Sequence, residues 1–219
     1  MVAKLAARLC PGAAFGAPAD LGRPLAEVPF VVLDTETTGV REGVDEILEV
    51  GAVRMVGGRV LIGQTFHRLV RPGRNGWGPT VPIHRIRPAD VAAAPPIEAV
   101  LPELVAFCRE AVIVGHKVGF DRAFLKRAGF PVGQFRWVDI DRVEGWLEAQ
   151  AAGGPPGADP VAVWDLEALA RRYGVELFRP HSAPADALAA AQVWQRQLTR
   201  LEGFGVRTLG DLLLAVGAR

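Results

Sequence analysis

Short β-branched runs and longer helical spacings of apolar residues predict an ordered series of strands and helices. The β-branched runs predict five strands, over residues 30–35, 49–56, 59–70, 111–115 and 136–139. The second and third strands meet at Gly57-Gly58. Because both glycines tolerate positive φ, this pair predicts a hairpin turn.

Apolar residues at helical spacing predict helices that follow the early strands. Their ranges are 88–94, 97–109, 120–128, 140–150, 166–173, 184–201 and 208–216. Segments rich in proline and glycine predict loops over 71–82 and 151–157. A hairpin sheet followed by alternating helices and strands predicts an α/β fold with a mixed β-sheet covered by helices on both faces.

The length of 219 residues, half of them hydrophobic, suffices for one domain with a sizeable core. We predict that residues 29–201 form this domain and that residues 202–219 form a C-terminal helical tail. Residues 1–28 predict an N-terminal arm or short helix, because 11–28 is rich in alanine, glycine and proline. Lys4 and Arg8 make the first residues a poor signal peptide.

Charge and cysteine usage narrow the class of protein. The net charge of +1 argues against the global basic field of an avid duplex binder. Arginine and proline interrupt every apolar stretch, so no membrane span and no membrane partner are expected. Cys10 and Cys108 form no spacing motif and are interpreted as free thiols, which predicts a cytoplasmic location.

Two carboxylates mark the end of the first predicted strand. Asp34 and Glu36 are two residues apart, and side chains at that spacing on a strand point to the same side. Two like charges that close repel each other unless a cation lies between them. The pair therefore predicts a site for hard metal ions.

Two more carboxylates and a histidine lie where helices leave the predicted sheet. Asp121 follows the strand at 111–115, and Asp186 lies in the first turn of the long helix. Either aspartate could instead be a solvated helix cap. His181 precedes Asp186 by five residues, about 500° of helix rotation, so the two could not face one target from the same helix. We therefore predict His181 in the preceding loop, able to reach the site, although an exposed loop histidine is the alternative.

Three segments together resemble a known family. Residues 33–39, 115–121 and 181–187 are similar to the three exonuclease motifs of the DEDDh (DnaQ-like) 3′→5′ exonucleases, in the same order. This family includes the epsilon proofreading subunit of bacterial DNA polymerase III. Residues 83–86 followed by 94–96 also resemble the family between its first two motifs. The similarity covers about residues 29–200.

The resemblance implies a ribonuclease H-like fold and a two-metal hydrolysis. It assigns metal binding to four carboxylates and the general base to a histidine: Asp34, Glu36, Asp121, Asp186 and His181. All-oxygen ligands suit two Mg²⁺ or Mn²⁺ ions, and histidine suits proton transfer near neutral pH. The implied substrates are 3′ ends of single-stranded nucleic acid, with DNA favoured, and the implied products are nucleoside 5′-monophosphates. A polymerase subunit is a candidate partner.

Several substrate contacts stay open in the sequence. By resemblance, Thr37, Thr38 and Gly39 would hold the terminal nucleotide, but they could also form a simple turn. Phe120 could stack on a base or belong to the core. Lys117 stands where many relatives have asparagine, which affects how substrate is handled. A catalytically weak binding or adaptor module on this fold and an RNA-trimming enzyme are the alternative functions.

Overall fold

The computed structural model describes residues 20–73, 81–154 and 164–217. Its centre is one five-stranded sheet with the strand order β3-β2-β1-β4-β5. The strands are β1 Pro29–Thr37, β2 Ile47–Val56, β3 Arg59–Leu69, β4 Val112–Gly115 and β5 Trp137–Asp139. Strands β1, β2 and β3 pair antiparallel, whereas β4 runs parallel to β1 and β5 parallel to β4. The mixed sheet predicted from the sequence is confirmed.

The helices of the described ranges follow the predicted order. They are α1 Val81–His84, α2 Pro88–Val91, α3 Ile97–Phe107, α4 Gly119–Ala128, α5 Ile140–Ala151, α6 Leu166–Arg172, α7 Ala183–Gly203 and α8 Leu209–Ala215. Short 3-10 turns cover Leu25–Glu27 and Val132–Gln134. Gly57 and Gly58 both have positive φ, 57° and 71°, so the predicted hairpin turn is also confirmed.

The predicted boundaries were wrong around the two short helices α1 and α2. The helix predicted over 88–94 ends at Val91, and the amide of Ala94 closes a turn onto the Val91 carbonyl before two prolines that disfavour helix. The loop predicted over 71–82 overlaps α1, which tolerates Pro82 because the first helical turn needs no amide donor there. Residues 74–80 of that loop, and 155–157 of the second predicted loop, lie outside the described residues.

The core lies on both faces of the sheet because β1 is buried on both sides. Phe30 and Val32 pack with residues from α5, α6, α7 and α8, and the Phe30 ring meets Trp194 of α7 edge-on at 5.4 Å. Val31 and Leu33 point the other way and pack with residues of α3 and α4. This alternation confirms the prediction of helices on both faces and explains why β1 is a continuous apolar run.

Residues 23–25 and 207–209 pack against each other beside the core cluster that contains Phe30. The amide of Leu25 donates to the Arg207 carbonyl at 2.8 Å, and the amide of Leu209 donates to the Arg23 carbonyl at 3.0 Å. Leu25 and Leu209 are both buried in the same cluster as Phe30. The division at residues 28 and 201 stays a prediction, and residues 1–19 of the arm lie outside the described residues.

Two smaller predictions concern cysteine and membrane spans. Cys108 is a buried free thiol, and burial raises its pKa to about 12. Cys10 lies outside the described residues. Among the helices of residues 20–73, 81–154 and 164–217, none is long and apolar enough to cross a bilayer.

Candidate active site

The end of β1 supplies the first two carboxylates. Asp34 and Glu36 are partly buried and lie on the face of β1 that carries Phe30 and Val32 nearer its start. Thr35, between them, is buried and its hydroxyl donates to Asp121 Oδ1 at 2.6 Å. This bond ties the end of β1 to the helix that carries the third carboxylate.

Asp121 reaches the same edge because β4 runs parallel to β1. It is the third residue of α4, which follows β4, and it is 3% exposed. The turn between β4 and α4 passes through Lys117, a non-glycine residue at φ 50°. Its backbone amide donates to Asp139 Oδ1 at 3.0 Å, at the end of β5. Three neighbouring strand ends therefore fix the position of Asp121.

The start of α7 supplies Asp186 and His181. Asp186 lies in the first turn of the helix and is buried, whereas His181 lies two residues before the helix at φ 65° and is exposed. The backbone amide of His181 donates to Asp186 Oδ2 at 3.0 Å. The structure thus places the histidine in the loop before the helix, as its spacing predicts, with its backbone anchored to Asp186.

The predicted site residues come together. Glu36, His181 and Asp186 each offer a ligand atom, and these atoms all lie within 4.8 Å of one another. The Asp34 carboxylate is repelled by those of Asp121, Asp186 and Glu36, so Asp34 and Asp121 belong to the same cluster. The carboxylates of Glu36 and Asp186, with Asp34 and Asp121 beside them, are oxygen donors able to hold a metal ion, and the His181 ring lies next to that position.

The carboxylates of the cluster are difficult to ionise together. Burial, followed by repulsion from the other carboxylates, raises the pKa of Asp34 well above its ordinary value and that of Glu36 to about 8. Burial raises the pKa of Asp186 to about 6, against the hydrogen bond from His181. For Asp121 burial also dominates and raises the pKa to about 7, although the Thr35 hydroxyl opposes it.

A cation fits this arrangement. Among the described residues, Asp186 Oδ1 is buried without a hydrogen-bond partner, which is rare for a buried carboxylate oxygen. The cluster is rich in oxygen donors, the ligand type that Mg²⁺ and Mn²⁺ prefer. A divalent cation would both satisfy the orphan oxygen and remove the repulsion that raises the pKa values.

The predicted substrate-binding residues are mostly engaged within the protein. The Thr37 hydroxyl donates to the Gly39 carbonyl at 2.6 Å, and the Thr38 hydroxyl donates to Asp45 Oδ1 at 3.3 Å. A Cβ on Gly39 would lie 2.6 Å from Asp45 Oδ2, so a larger residue there would displace the Asp45 carboxylate. Phe120 is partly buried, and its ring packs against Phe124 at 4.7 Å.

Sequence reasoning missed four residues that support the site. Asp45 accepts hydrogen bonds from Thr38 and from the Arg41 amide, and so fixes the turn after β1. The other three residues are Thr35, Glu49 and Asp139, each bonded to a segment that carries a site residue. Their partners are distant in sequence, by 86 residues for Thr35 and 134 for Glu49, so spacing alone could not reveal them.

The five-stranded mixed sheet and its acidic edge define a ribonuclease H-like nuclease fold. The family model described as "Exonuclease" matches residues 31–194. The chain therefore belongs to this exonuclease family, and the resemblance drawn from its three motifs is confirmed.

Relatives with curated names agree with this membership. The chain is 37% identical over 197 residues to a DNA polymerase III subunit epsilon-like protein of Rhodobacter capsulatus, covering 88% of this chain and 27% of that protein. It is 30% identical over 186 residues to DNA polymerase III PolC-type of Thermotoga maritima, covering 85% of this chain and 13% of that protein. The chain thus spans about a quarter or less of these relatives.

Solved structures share the fold. Exonuclease I of E. coli in complex with a dT13 oligonucleotide superposes with a TM-score of 0.68 at 21% identity, covering 82% of this chain and 43% of that one. Exonuclease X in complex with 5′ overhanging duplex DNA gives 0.61 at 22% identity, covering 85% of this chain and 99% of that one. At this identity the likeness establishes the fold.

Proposed function

We propose that this protein removes nucleotides from the 3′ ends of single-stranded nucleic acid, DNA in preference to RNA, and releases nucleoside 5′-monophosphates. The observation that carries the proposal is the meeting of four carboxylates and His181 at one sheet edge. A structural role would not require four acidic side chains in mutual repulsion. The cluster costs stability unless cations compensate its charge.

The carboxylates would hold two divalent cations, Mg²⁺ or Mn²⁺. When bound, such a pair of cations stabilises the attacking and leaving oxygens of an in-line displacement at phosphorus. Asp34, Glu36, Asp121 and Asp186 would supply the oxygen ligands. Thr35 holds Asp121 in place through the 2.6 Å hydrogen bond from its hydroxyl.

His181 would act as the general base. Its side chain is exposed, whereas its backbone is anchored to Asp186, so the ring can turn without losing its position relative to the cluster. It would take the proton from the attacking water, a role that suits histidine near neutral pH.

The comparisons support the choice of substrate and partner. The relatives named as polymerase III proteins favour DNA and a polymerase subunit as partner. The fold shared with a complex of exonuclease I and dT13 favours a single strand. Backbone groups of Thr37, Thr38 and Gly39, together with Phe120, would hold the terminal nucleotide. A cytoplasmic location and the domain limits 29–201 belong to the same proposal.

The proposal is tested with 5′-labelled single-stranded DNA and RNA of the same sequence, each with Mn²⁺ or with EDTA. We expect a ladder that shortens one nucleotide at a time from the 3′ end, faster on DNA, and abolished by EDTA. Asp186→Ala should remove it, whereas Asp90→Ala, an exposed aspartate on α2, should not. A folded protein that binds Mn²⁺ but cleaves neither strand would instead favour a binding module.

A second substitution tests the base. His181→Ala should bind Mn²⁺ as the wild type does but lose on the order of 10²–10⁴-fold in turnover, the usual contribution of a general base. Turnover at the wild-type rate in this variant would show that another group takes the proton.

A further inference from the structure

Glu49 is a buried carboxylate of β2 that the proposed chemistry does not use. It is 6% exposed, and both of its oxygens have partners. Its Oε2 accepts a hydrogen bond from the backbone amide of Ala183 at 2.8 Å, and its Oε1 lies 2.7 Å from His67 Nε2 on β3. Ala183 is the first residue of α7, the helix that carries Asp186. Glu49 therefore connects the sheet to the start of the helix.

Sheet register places Glu49 beside the acidic cluster. In the antiparallel pairing of β1 with β2, Glu36 is opposite Glu49 and Asp34 is opposite Gly51. Residues directly opposite each other share one face of a sheet. The two carboxylates of β1 thus have Glu49 and Gly51 as neighbours on the face where α7 begins.

Gly51 lets the helix start approach the sheet closely. A Cβ on this residue would lie 2.2 Å from the carbonyl carbon of Ala183 and 2.2 Å from the nitrogen of Pro184. No ordinary side chain fits that space without moving the backbone of the segment between His181 and Asp186. The contact is therefore backbone against backbone, with Glu49 next to it as the hydrogen-bond acceptor.

We infer that Glu49 is a positioning residue. By accepting the hydrogen bond from the Ala183 amide, it holds the His181–Asp186 segment close to Asp34 and Glu36. The expected change in kcat rests on the proposed function, whereas the position of residues 181–187 rests on geometry alone. Glu49 acts through the backbone of α7, whereas the other four carboxylates act on the cations. An error of about 1 Å in such a segment is enough to cost about 10²-fold in rate.

The test compares Glu49→Ala with Glu49→Gln. Glutamine keeps an acceptor oxygen for Ala183 and can face His67 with its amide, so it preserves the position and removes the charge. We expect Glu49→Ala to lower kcat on the order of 10–100-fold with KM for a labelled oligonucleotide roughly unchanged, and Glu49→Gln to restore most of kcat. Glu103→Ala is the matched control, because Glu103 bonds Arg68, next to His67, through an exposed contact.

Amide hydrogen exchange of residues 181–187 measures the position independently of activity. In Glu49→Ala this segment should exchange faster than in wild type, whereas Glu49→Gln and Glu103→Ala should exchange as wild type does. If Glu49→Ala fails to fold, Glu49→Asp gives the second measurement, because it keeps the charge but shortens the side chain that reaches the Ala183 amide. Residues 181–187 should then exchange faster than in wild type, and unchanged exchange would overturn the inference.

Each outcome decides the inference. Equal loss of kcat in Glu49→Ala and Glu49→Gln would mean that the charge matters and would overturn a positioning role. Unchanged exchange over 181–187 in Glu49→Ala would overturn it as well, whatever the activity. A wild-type protein that cleaves nothing would refute the proposed function, whereas the exchange result would still decide the inference about Glu49.

Discussion

Two groups of carboxylates among the described residues differ in how the surrounding protein changes their pKa values. At the sheet edge, Asp34, Glu36, Asp121 and Asp186 face one another, and burial and repulsion raise their pKa values. In the layer that helices α5, α6 and α7 form, Glu144 of α5 is fully buried, yet its pKa is lowered. The difference is the supply of donors and positive charge, which the helical layer provides from its own side chains.

Four side chains surround Glu144. Arg200 Nη1 lies 2.8 Å and Arg172 Nε 2.9 Å from its Oε1, while Gln197 and the Tyr173 hydroxyl donate to its Oε2. Burial alone would raise the pKa of Glu144, but these hydrogen bonds and charges outweigh it. Glu144 therefore joins α5, α6 and α7 into one layer. The sheet-edge carboxylates instead keep raised pKa values, as expected of the proposed cation site.

The largest expected effect is a loss of metal-free stability as pH rises. The folded-state pKa values of Glu36, Asp121 and Asp186 are about 8, 7 and 6, above their unfolded values near 4. The folded protein thus holds extra protons between about pH 4 and 8, and its stability falls as pH rises through that window. From pH 5.5 to 8.5 in EDTA we expect a loss on the order of 3 kcal/mol in the free energy of unfolding.

Urea unfolding at the two pH values, with and without excess Mg²⁺, measures this effect. A cation that binds the folded state should remove most of the loss, because it compensates the charges that the protons neutralise at lower pH. Glu144 contributes with the opposite sign, since its lowered pKa means that its stabilisation is lost only on acidification below the ordinary glutamate range. Identical pH slopes with and without Mg²⁺ would contradict the metal assignment.

The sequence predicted the sheet because its signals are local. The apolar run of β1 predicts a strand and the paired glycines at 57 and 58 predict a turn from neighbouring residues alone, and the structure agrees. The end of the short helix at Val91 was missed because apolar spacing continues through Ala94, although the two prolines that follow favour an earlier end. Local patterns fix which elements form better than they fix where each one stops.

The sequence predicted the carboxylates and the histidine of the site but not the residues that support them. Asp34 and Glu36 are two residues apart on one strand, so their shared direction follows from strand geometry. Glu49 could not be found in this way, because its role depends on Ala183, 134 residues later, and on the depth at which α7 meets the sheet. The network of Glu144 was missed for the same reason, since the partners of this residue of α5 come from α6 and α7.

The next effect concerns Glu144 and its hydrogen-bond and charge partners. Glu144→Ala should lower the free energy of unfolding by about 2–3 kcal/mol, because it leaves two arginines and a tyrosine hydroxyl without their common partner. Glu167→Ala is the matched control: Glu167 pairs with Arg171 on the exposed side of α6 and should cost less than about 1 kcal/mol. Chemical denaturation gives both values, and equal costs would show that the buried network contributes no more than a surface pair.

The smallest effect has the opposite sign and separates function from stability most directly. Asp186→Asn removes one charge from the sheet-edge cluster but keeps an oxygen for the His181 amide, so metal-free stability at pH 8 should rise by about 1 kcal/mol while cleavage is lost. Asp165→Asn is the control, because Asp165 also accepts a backbone amide at a helix start, that of Ala168, but is exposed and should gain nothing. Thermal unfolding in EDTA measures both variants. A lower melting temperature in Asp186→Asn would mean that its hydrogen bonding outweighs the repulsion, and that the cluster is less strained than its pKa values indicate.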